Sequence, residues 1–472
     1  MGKILIVYNL FIVTSIISAN SIVSPEQSVD TLFDQGYVVH DKKFIVYSEY
    51  GAIGDGITDD FEAIIKAHAA ANEAGLPVRA EAGKTYFIGD VRGTAHIQTD
   101  TDWTGAFFII DDSKVKVYRQ NNQQQVFQVS SKLPSFQISA VNTIKKNQNK
   151  LDLLLPQDCF IDVTDNTTRR YIRYGPDQNS GSIQNDQFIV YKNGNVDKET
   201  PVVWNFETIS SMTAYPIDTK TLTIKGGHFT TIANQIETQG DYFNRGIKII
   251  RSHVVVDGIY HVVTGELDYG APYYGFLEIS RCTNILVQNS AFSGHSRAAS
   301  GSRDGKGRMG TYDISVSKAN NVTFKNCKQI NSIHDTRFWG IIQSNFSKNL
   351  TFDHVTFSRF DAHQGVTNAT IKNSELGHQG IELIGQGVFL MENTKVYSGI
   401  YGSNFIHLRE DYGSTFEGEI IVRNCEFIPR NGLLSDVFLI KCQNHGFRLF
   451  SDSPFLKRGH PSMLNDRVLI AS

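Results

Sequence analysis

The sequence predicts an all-β chain folded as a right-handed parallel β-helix, a solenoid of stacked coils with an N-terminal capping helix. Three observations predict it. From about Thr221 onward a short phrase recurs eight times: two or three β-formers, a polar residue, then a turn residue, usually Asn or Gly. Its instances are Ile224-Lys225-Gly226, Val256-Asp257-Gly258, Val287-Gln288-Asn289, Phe324-Lys325-Asn326, Phe352-Asp353-His354, Ile371-Lys372-Asn373, Met391-Glu392-Asn393 and Val422-Arg423-Asn424. Successive third positions lie 32, 31, 37, 28, 19, 20 and 31 residues apart. Units this short cannot supply the strands of a propeller blade, and no helical periodicity accompanies them, so stacked coils with loops of variable length fit best. The third observation is composition: 30 Phe and 19 Tyr supply the side chains that strands favour.

Charge narrows the function classes. Lys+Arg 45 against Asp+Glu 48 gives a net charge of −3, with no positive excess for nucleic acid or an anionic membrane surface. Residues 1–21 read as a secretory signal. Lys3 is followed by a mostly apolar stretch, residues 4–17, and by the small-x-small site Ala19-Asn20-Ser21. The stretch is shorter than the ~20 residues of a membrane span, and no later stretch is apolar enough. A secreted, soluble protein is expected, with residues 22–45 as a linker and a β-helix domain over residues 46–442.

The capping helix is expected over residues 59–73, because Phe61, Ile64, Ile65 and His68 recur at helical spacing. Thr58 is its expected N-cap, and Gly75 and Pro77 end it. Residues 114–205 alternate strand-like runs with Asn, Gln, Gly and Asp turns, and read either as early coils or as an inserted β-region. Residues 443–472 are polar and unpatterned, an irregular tail. Asn or Gly at the turn of each coil suits left-handed backbone, and stacked Asn side chains are expected to form a ladder. Asn166, Asn321, Asn345, Asn349 and Asn368 begin Asn-x-Ser/Thr acceptor patterns. The five Cys show no metal spacing and no disulfide framework; Cys327 and Cys425 read as small core side chains.

The run Tyr50-Gly51-Ala52-Ile53-Gly54-Asp55-Gly56-Ile57-Thr58-Asp59-Asp60, then a helix and Gly83-Lys84-Thr85-Tyr86, resembles the opening of pectate-lyase-like β-helix proteins. That superfamily includes pectate lyases, polygalacturonase-type hydrolases, rhamnogalacturonases, sugar epimerases and phage tailspike depolymerases. The resemblance implies the fold over roughly residues 45–430, and a glycan substrate. Gly377-His378-Gln379-Gly380-Ile381 is a loose echo of the Gly-His-Gly element of the polygalacturonase branch. The chain lacks that branch's Asn-Thr-Asp and Arg-Ile-Lys.

Strand alternation places side chains. Ile247, Ile249, Leu277, Ile279, Ile314, Val316, Ile341, Ile381, Leu383, Ile406, Leu408, Phe360 and Ala362 are expected to point inward. Lys248, Glu278, Asp313, Ser315, Gln343, Glu382, His407, Arg409, Arg359, Asp361 and His363 are then expected on one outer face, as vertical neighbours in a shallow cleft. Tyr269, Tyr273, Tyr274, Trp339, Tyr401 and Tyr412 in nearby loops offer rings for sugar stacking. The densest part runs from Asp335, Arg337 and Trp339 through Arg359, Asp361, His363, His378, Glu382 and Arg409 to Asp411 and Tyr412.

Two chemistries suit this set. In β-elimination His363 is the base, Arg409 or Arg359 neutralises a uronate carboxylate, and Tyr412 or His378 is the acid. In hydrolysis Asp361 and Glu382, on adjacent coils, flank the glycosidic bond. Arg337, Trp339, Tyr412, Lys248, Glu278, Gln343 and His407 are the expected substrate contacts. The basic loop over residues 294–310, with His295, Arg297, Arg303, Lys306 and Arg308, and the acids Glu266 and Asp268 lie near the same rim. The reading favours elimination of a uronate-containing extracellular polysaccharide. A hydrolase and a non-catalytic glycan-binding surface protein are its alternatives. No cofactor is evident, calcium stays open, no nucleic-acid or membrane partner is expected, and a monomer is the expected state.

Overall fold

Each coil of the solenoid runs through up to three short strands, and strands of successive coils pair in parallel to form three faces. The computed structural model describes residues 43–89, 93–115, 125–173, 179–234, 243, 245–266, 273–296, 311–338, 340, 342–397, 404–412, 416–428, 438–442 and 467–471. The expected signal and most of the linker and tail lie outside the described residues. Those described belong to one compact unit, residues 43–472.

All eight copies of the repeated phrase stack in register on the first face. Ile224 pairs with Val256, Val256 with Val287, Val287 with Phe324 and Phe324 with Phe352. Phe352 pairs with Ile371, Ile371 with Met391 and Met391 with Val422. These apolar residues point inward and are buried. The residue that ends each phrase has positive φ in every copy, from Gly226 at 68° to Asn424 at 48°. Reversing the chain there takes left-handed backbone, which Gly and Asn adopt most readily.

The second face stacks Thr85–Ile88, the later halves of Thr101–Asp111 and Leu222–Ile232, Tyr260–Thr264, and then shorter strands up to Glu426–Ile428. The third face stacks Ala95–Ile97, Phe127–Val129, Ile247–Ile249, Leu277–Ser280, Ile314–Ser317 and the start of Ile342–Asp353. It continues through Asp361, Glu382 and Asn404–Leu408 to Phe438–Cys442. The short 19- and 20-residue repeats have a simple cause. Thr356–Asp361 and Glu375–Leu383 each run from the second face onto the third without an intervening loop.

The core is continuous from Ile45 to Val422. The inward positions named from sequence are buried wherever they are described. Ile341 lies outside the described residues, and Ile342 takes the inward position opposite Ile314. Cys327 is buried, whereas Cys425 is partly exposed.

The capping helix spans Phe61–Ala74 and buries Phe61, Ile64, Ala67, His68 and Ala71 over the first coil. Its start differs from expectation: the N-cap is Asp60, not Thr58. The Asp60 carboxylate turns away to accept the backbone N–H of Ile53 and Gly54, and Asp59 accepts the N–H of Phe61 instead. The acidic run thus ties the Gly-rich loop to the helix. Beneath it, Trp103 Nε1 donates to Tyr47 Oη (2.7 Å), which lies 2.9 Å from His68 Nε2. Burial drives the His68 pKa down to about 3, so the ring is a neutral acceptor.

Between the third-face strand Phe127–Val129 and the next coil the chain builds a four-stranded antiparallel sheet from Phe136–Gln137, Cys159–Arg170, Ser182–Val190 and Ser211–Pro216. It has its own core, including Leu151, Ile161, Phe188 and Phe206. Antiparallel pairing within one segment makes this an insertion and not a set of coils. In the tail, Arg467–Ala471 adds a parallel strand beside Phe416–Arg423.

Candidate functional site

The third face carries a vertical column of polar side chains. Lys248 is in register with Glu278, Glu278 with Ser315, and Ser315 with Gln343. One coil on, Ser344 Oγ donates to the carbonyl of Asp361, which sets Asp361 beside the Gln343 rung. Asp361 is in register with Glu382, Glu382 with His407, and His407 with Lys441. Eight residues separated by up to 193 positions in sequence therefore form one line along the solenoid axis.

The column is far less open than alternation alone suggests. Lys248 Nζ binds Glu278 Oε1 at 2.8 Å, and Gln125 Nε2 donates to Glu278 Oε2. Ser315 and Gln343 are buried, with no partner for Ser315 Oγ or Gln343 Nε2 among the described residues. Asp361 is inaccessible: its Oδ1 accepts Arg409 Nη1 at 2.8 Å, and its Oδ2 lies 2.8 Å from Arg359 Nη2. Arg409 also binds Asp411 at 2.8 Å, and Asp411 binds Arg173 of the insertion at 2.8 Å. Burial raises the Asp361 pKa, but Arg359 and Arg409 outweigh it and hold the carboxyl below its usual range. The expected solvent-facing Asp361, Arg359 and Arg409 are instead a covered, internally ion-paired cluster.

His363 is also enclosed. Its Nδ1 lies 3.1 Å from Asn345 Oδ1 and its Nε2 3.4 Å from Tyr412 Oη, so the ring donates at one end and accepts at the other. Burial, aided by the Arg409 cation, drives its pKa down to about 3. Tyr412 is buried, with the Arg409 guanidinium 5.1 Å from its ring centre, and so offers no face to a sugar. Glu382 reaches solvent, as Asp411 does with 21% of its side chain exposed. The Glu382 side chain is 12% exposed, and His407 Nδ1 lies 2.9 Å from its Oε2.

His378 does not join the column. It is buried, with Nδ1 2.9 Å from the Ile333 carbonyl and Nε2 3.1 Å from the Phe338 carbonyl. A Cβ on Gly377 would come within 2.1 Å of the same Ile333 carbonyl. The Gly-His-Gln-Gly echo thus lets a loop pack closely and pins it. That loop carries Arg337, which is 77% exposed and paired with Asp335 at 2.6 Å. Trp339, Tyr269, Tyr401 and Asp268, with Arg297, Arg303, Lys306 and Arg308, lie outside the described residues.

A second buried cluster gathers the rim residues His295 and Glu266 with Asp313. Asp313, expected to face outward, is fully buried, 2.8 Å from His261 Nδ1 and 3.3 Å from His295 Nε2. His295 Nδ1 binds Glu266 at 2.8 Å, and the Tyr273 ring stacks on His295. Tyr273 Oη donates to Asp112, which pairs with Arg245 at 2.7 Å. Burial lowers the His295 pKa, yet Glu266 and Asp313 override it and raise it to about 9. The pairing of Asp112 with Arg245 spans 133 residues, and no spacing rule connects them.

The insertion flanks the third face. Asp162 binds Arg281 and Lys318, Asn320 donates to the Gln187 carbonyl, and Asp186 binds Lys348 at 2.7 Å. Among the described residues no group of three His, Cys, Asp or Glu is placed to hold a metal ion, and no helix is long and apolar enough to cross a membrane.

No protein-family model and no curated protein matches the chain. Solved structures do. The tailspike of Pseudomonas phage phi297 matches with a TM-score of 0.50 at 14% identity, over 86% of this chain and 78% of that one. The tailspike of the Acinetobacter baumannii phage AP22, solved with a capsular saccharide, matches at 0.46 and 12%, over 90% and 68%. PfbA, a surface adhesin of Streptococcus pneumoniae, matches at 0.41 and 12%, over 83% and 92%. At such identities the likeness concerns architecture, and it assigns the chain to none of the enzyme branches that use it. The chain is an all-β, right-handed parallel β-helix.

Proposed function

We propose that the protein is exported and lays an extracellular polysaccharide along its third face, where it hydrolyses glycosidic bonds with Glu382 as the proton-transferring carboxyl. The observation that carries this reading is the in-register column from Lys248 to Lys441. Its members that reach solvent, Lys248, Glu382 and Lys441, stand at intervals along the solenoid axis, where an extended chain would lie. Glu382 is in register with the buried Asp361 of the adjacent coil and is the member of that pair with access to solvent, which a carboxyl that exchanges a proton with a glycosidic oxygen needs. Export rests on the apolar N-terminal stretch.

Hydrolysis fits this geometry better than elimination. Elimination needs a basic imidazole and a guanidinium turned toward a uronate. His363 is enclosed with a pKa of about 3, and Arg409 is engaged by two carboxylates. A second reading, glycan binding without cleavage, is favoured by the complete pairing of Asp361. The test is incubation with a broad polysaccharide panel, following reducing ends and ultraviolet absorbance together. Reducing ends without absorbance, lost in Glu382→Gln, support hydrolysis. Absorbance rising with reducing ends points to elimination. Binding with neither signal leaves the non-catalytic reading.

A further inference from the structure

We propose that the insertion carries a second glycan site, an open cleft apart from the third face that holds a sugar ring against Tyr191 and Leu154. The inference rests on the preceding reading only for the class of ligand, a polysaccharide.

The cleft forms where the loop over residues 151–158 meets the turn over residues 191–194. It holds about 430 Å³ and is lined by Leu154, Leu155, Asp158, Tyr191, Lys192 and Asn193. That volume falls within the roughly 300–1,000 Å³ of small-molecule sites. Backbone bonds fix loop and turn to each other: the Leu151 N–H donates to the Gly194 carbonyl at 2.8 Å, and the Leu155 N–H to the Lys192 carbonyl at 3.0 Å. Gly194 has φ 84°, and a Cβ there would come within 2.4 Å of the Leu151 carbonyl oxygen. Asp158 Oδ1 accepts the Lys192 N–H at 2.8 Å, and Tyr191 Oη donates to Asp197 at 2.9 Å, which holds the ring in place.

The lining identifies the ligand. Leu154 is 87% exposed, more than any other large apolar side chain among the described residues, and Tyr191 is 41% exposed. Leu155 between them is buried. Around this apolar surface stand the exposed Asp158, Lys192 and Asn193, an acceptor, a donor and an amide that is both. A pyranose matches such a surface: its C–H face packs on an aromatic ring, and its hydroxyls, at the edge, donate and accept. A wholly apolar ligand would strip water from the Asp158 and Lys192 charges and put nothing in its place. A stable protein partner needs about 20–30 residues a side, far more than this cleft supplies.

Its position suits a polymer. The strand Cys159–Arg170 leaves the cleft and runs beside the third face along the solenoid axis: Asp162 binds Arg281 and Lys318, Tyr171 packs on Gly365, and Arg173 binds Asp411. The cleft therefore stands at one end of an element aligned with the column.

The experiment measures retention of the full chain on immobilised glucan, mannan, galactan, xylan and polygalacturonate, with reducing ends followed on the same polymers in solution. Wild type is compared with Tyr191→Ala, Tyr191→Phe, Leu154→Ser and Glu382→Gln. On a polymer that retains wild type, Tyr191→Ala and Leu154→Ser should each bind about fivefold or more weaker, while Tyr191→Phe, which keeps the ring, should bind as wild type does. Unchanged binding in both Tyr191→Ala and Leu154→Ser overturns the inference; reducing ends lost in Glu382→Gln would still uphold the third-face reading. Binding that depends on Tyr191, with no reducing ends from any polymer, upholds the cleft and removes hydrolysis. Equal weakening in Tyr191→Phe and Tyr191→Ala would trace the effect to the Asp197 bond and overturn ring stacking. A wild-type dimer in sedimentation that Leu154→Ser dissolves would assign the cleft to a second copy, and retention of a folded chain by none of the polymers overturns the site.

Discussion

Asp361 decides how the third face behaves. While Arg359 and Arg409 are present its charge is balanced, and such a buried cluster adds little net stability. Removing the carboxylate takes the Asp361 counter-charge from Arg359 and leaves Arg409 with Asp411. Asp361→Ala should therefore lower the unfolding free energy by about 3–5 kcal/mol, measured by urea titration. Asp361→Leu combined with Arg409→Met should recover part of that loss, and a single variant with an unchanged midpoint would show that the pairs do not hold in solution. Protonation acts on the same scale. His68 and His363 have folded pKa values of about 3, against ~6.5 in an unfolded chain, so the unfolded state takes up protons first as pH falls. Stability should drop by about 1.4 kcal/mol per pH unit for each ring as pH falls from ~6.5 toward 3. His295 works in the opposite direction: with its pKa raised to about 9, its contribution is complete below pH ~6.5 and is lost as pH rises through 9. Thermal melts across pH should peak near neutrality. His363→Gln should flatten the acid limb and His295→Gln the alkaline one; an acid limb of unchanged slope in His363→Gln would clear that ring. Strand parity made the membership of Lys248, Glu278, Gln343, Glu382 and His407 in one column legible in the sequence. The burial of Asp361 and His363 was not legible, because Arg409 and Tyr412, which engage them, lie 48 and 49 residues further along the chain.

At the scale of elements, the solenoid is held by ladders at its turns. The expected ladder is present at the ends of the repeated phrases: Asn289 donates to Asp257, Asn326 to Asn289, and Asn393 to Asn373. A second ladder went unread in the sequence, because its members lie near the start of strands or inside them instead of ending them. Asn321 donates to Asn284, Asn349 to Asn321 at 2.8 Å, and Asn368 to Asn349 at 3.0 Å. Asn284, Asn321, Asn349 and Asn368 all have φ between 54° and 60°. Three of the five glycan-acceptor patterns, at Asn321, Asn349 and Asn368, thus fall on amides already bonded within the ladder, while Asn166 is exposed. Asn349 has two tasks, bonding and left-handed backbone, and two substitutions separate them. Asn349→Gly loses the side-chain bonds, whereas Asn349→Ala also places a Cβ in a left-handed conformation. The Ala variant should be less stable than the Gly variant by about 1 kcal/mol in denaturant titration. Equal midpoints would mean that the backbone there relaxes. The helix N-cap was misplaced for a related reason: Thr58, Asp59 and Asp60 all suit a cap, and only the close approach of the Gly-rich loop makes Asp60 turn back to Ile53 and Gly54.

At the scale of the molecule, the insertion links sequence-distant chemistry to the third face. Its strands have the same composition as the coils, so a reading of residues 114–205 could not separate antiparallel insertion from parallel coil; pairing direction is not written in a single strand. Its docking relies on a few tight contacts. Asp186 and Lys348 form an ion pair in which both side chains are almost wholly buried. Tyr171 packs so closely on Gly365 (φ 89°) that a Cβ there would come within 1.9 Å of its hydroxyl oxygen. Asp186→Ala strands the Lys348 ammonium and should loosen docking by about 3–5 kcal/mol, and Gly365→Ala should act in the same direction by steric contact. The expected readout is faster amide exchange and new protease cleavage within residues 130–217, with the solenoid strands Val254–Asp257 and Thr283–Gln288 still protected. Global loss of protection would mean instead that insertion and solenoid unfold as one. Local loosening would also release Arg173 from Asp411 and shift the balance of the Arg409–Asp361 cluster. Either substitution should then change glycan binding on the third face without altering a residue of the column, and unchanged binding with a loosened insertion would show that the face is organised by the coils alone.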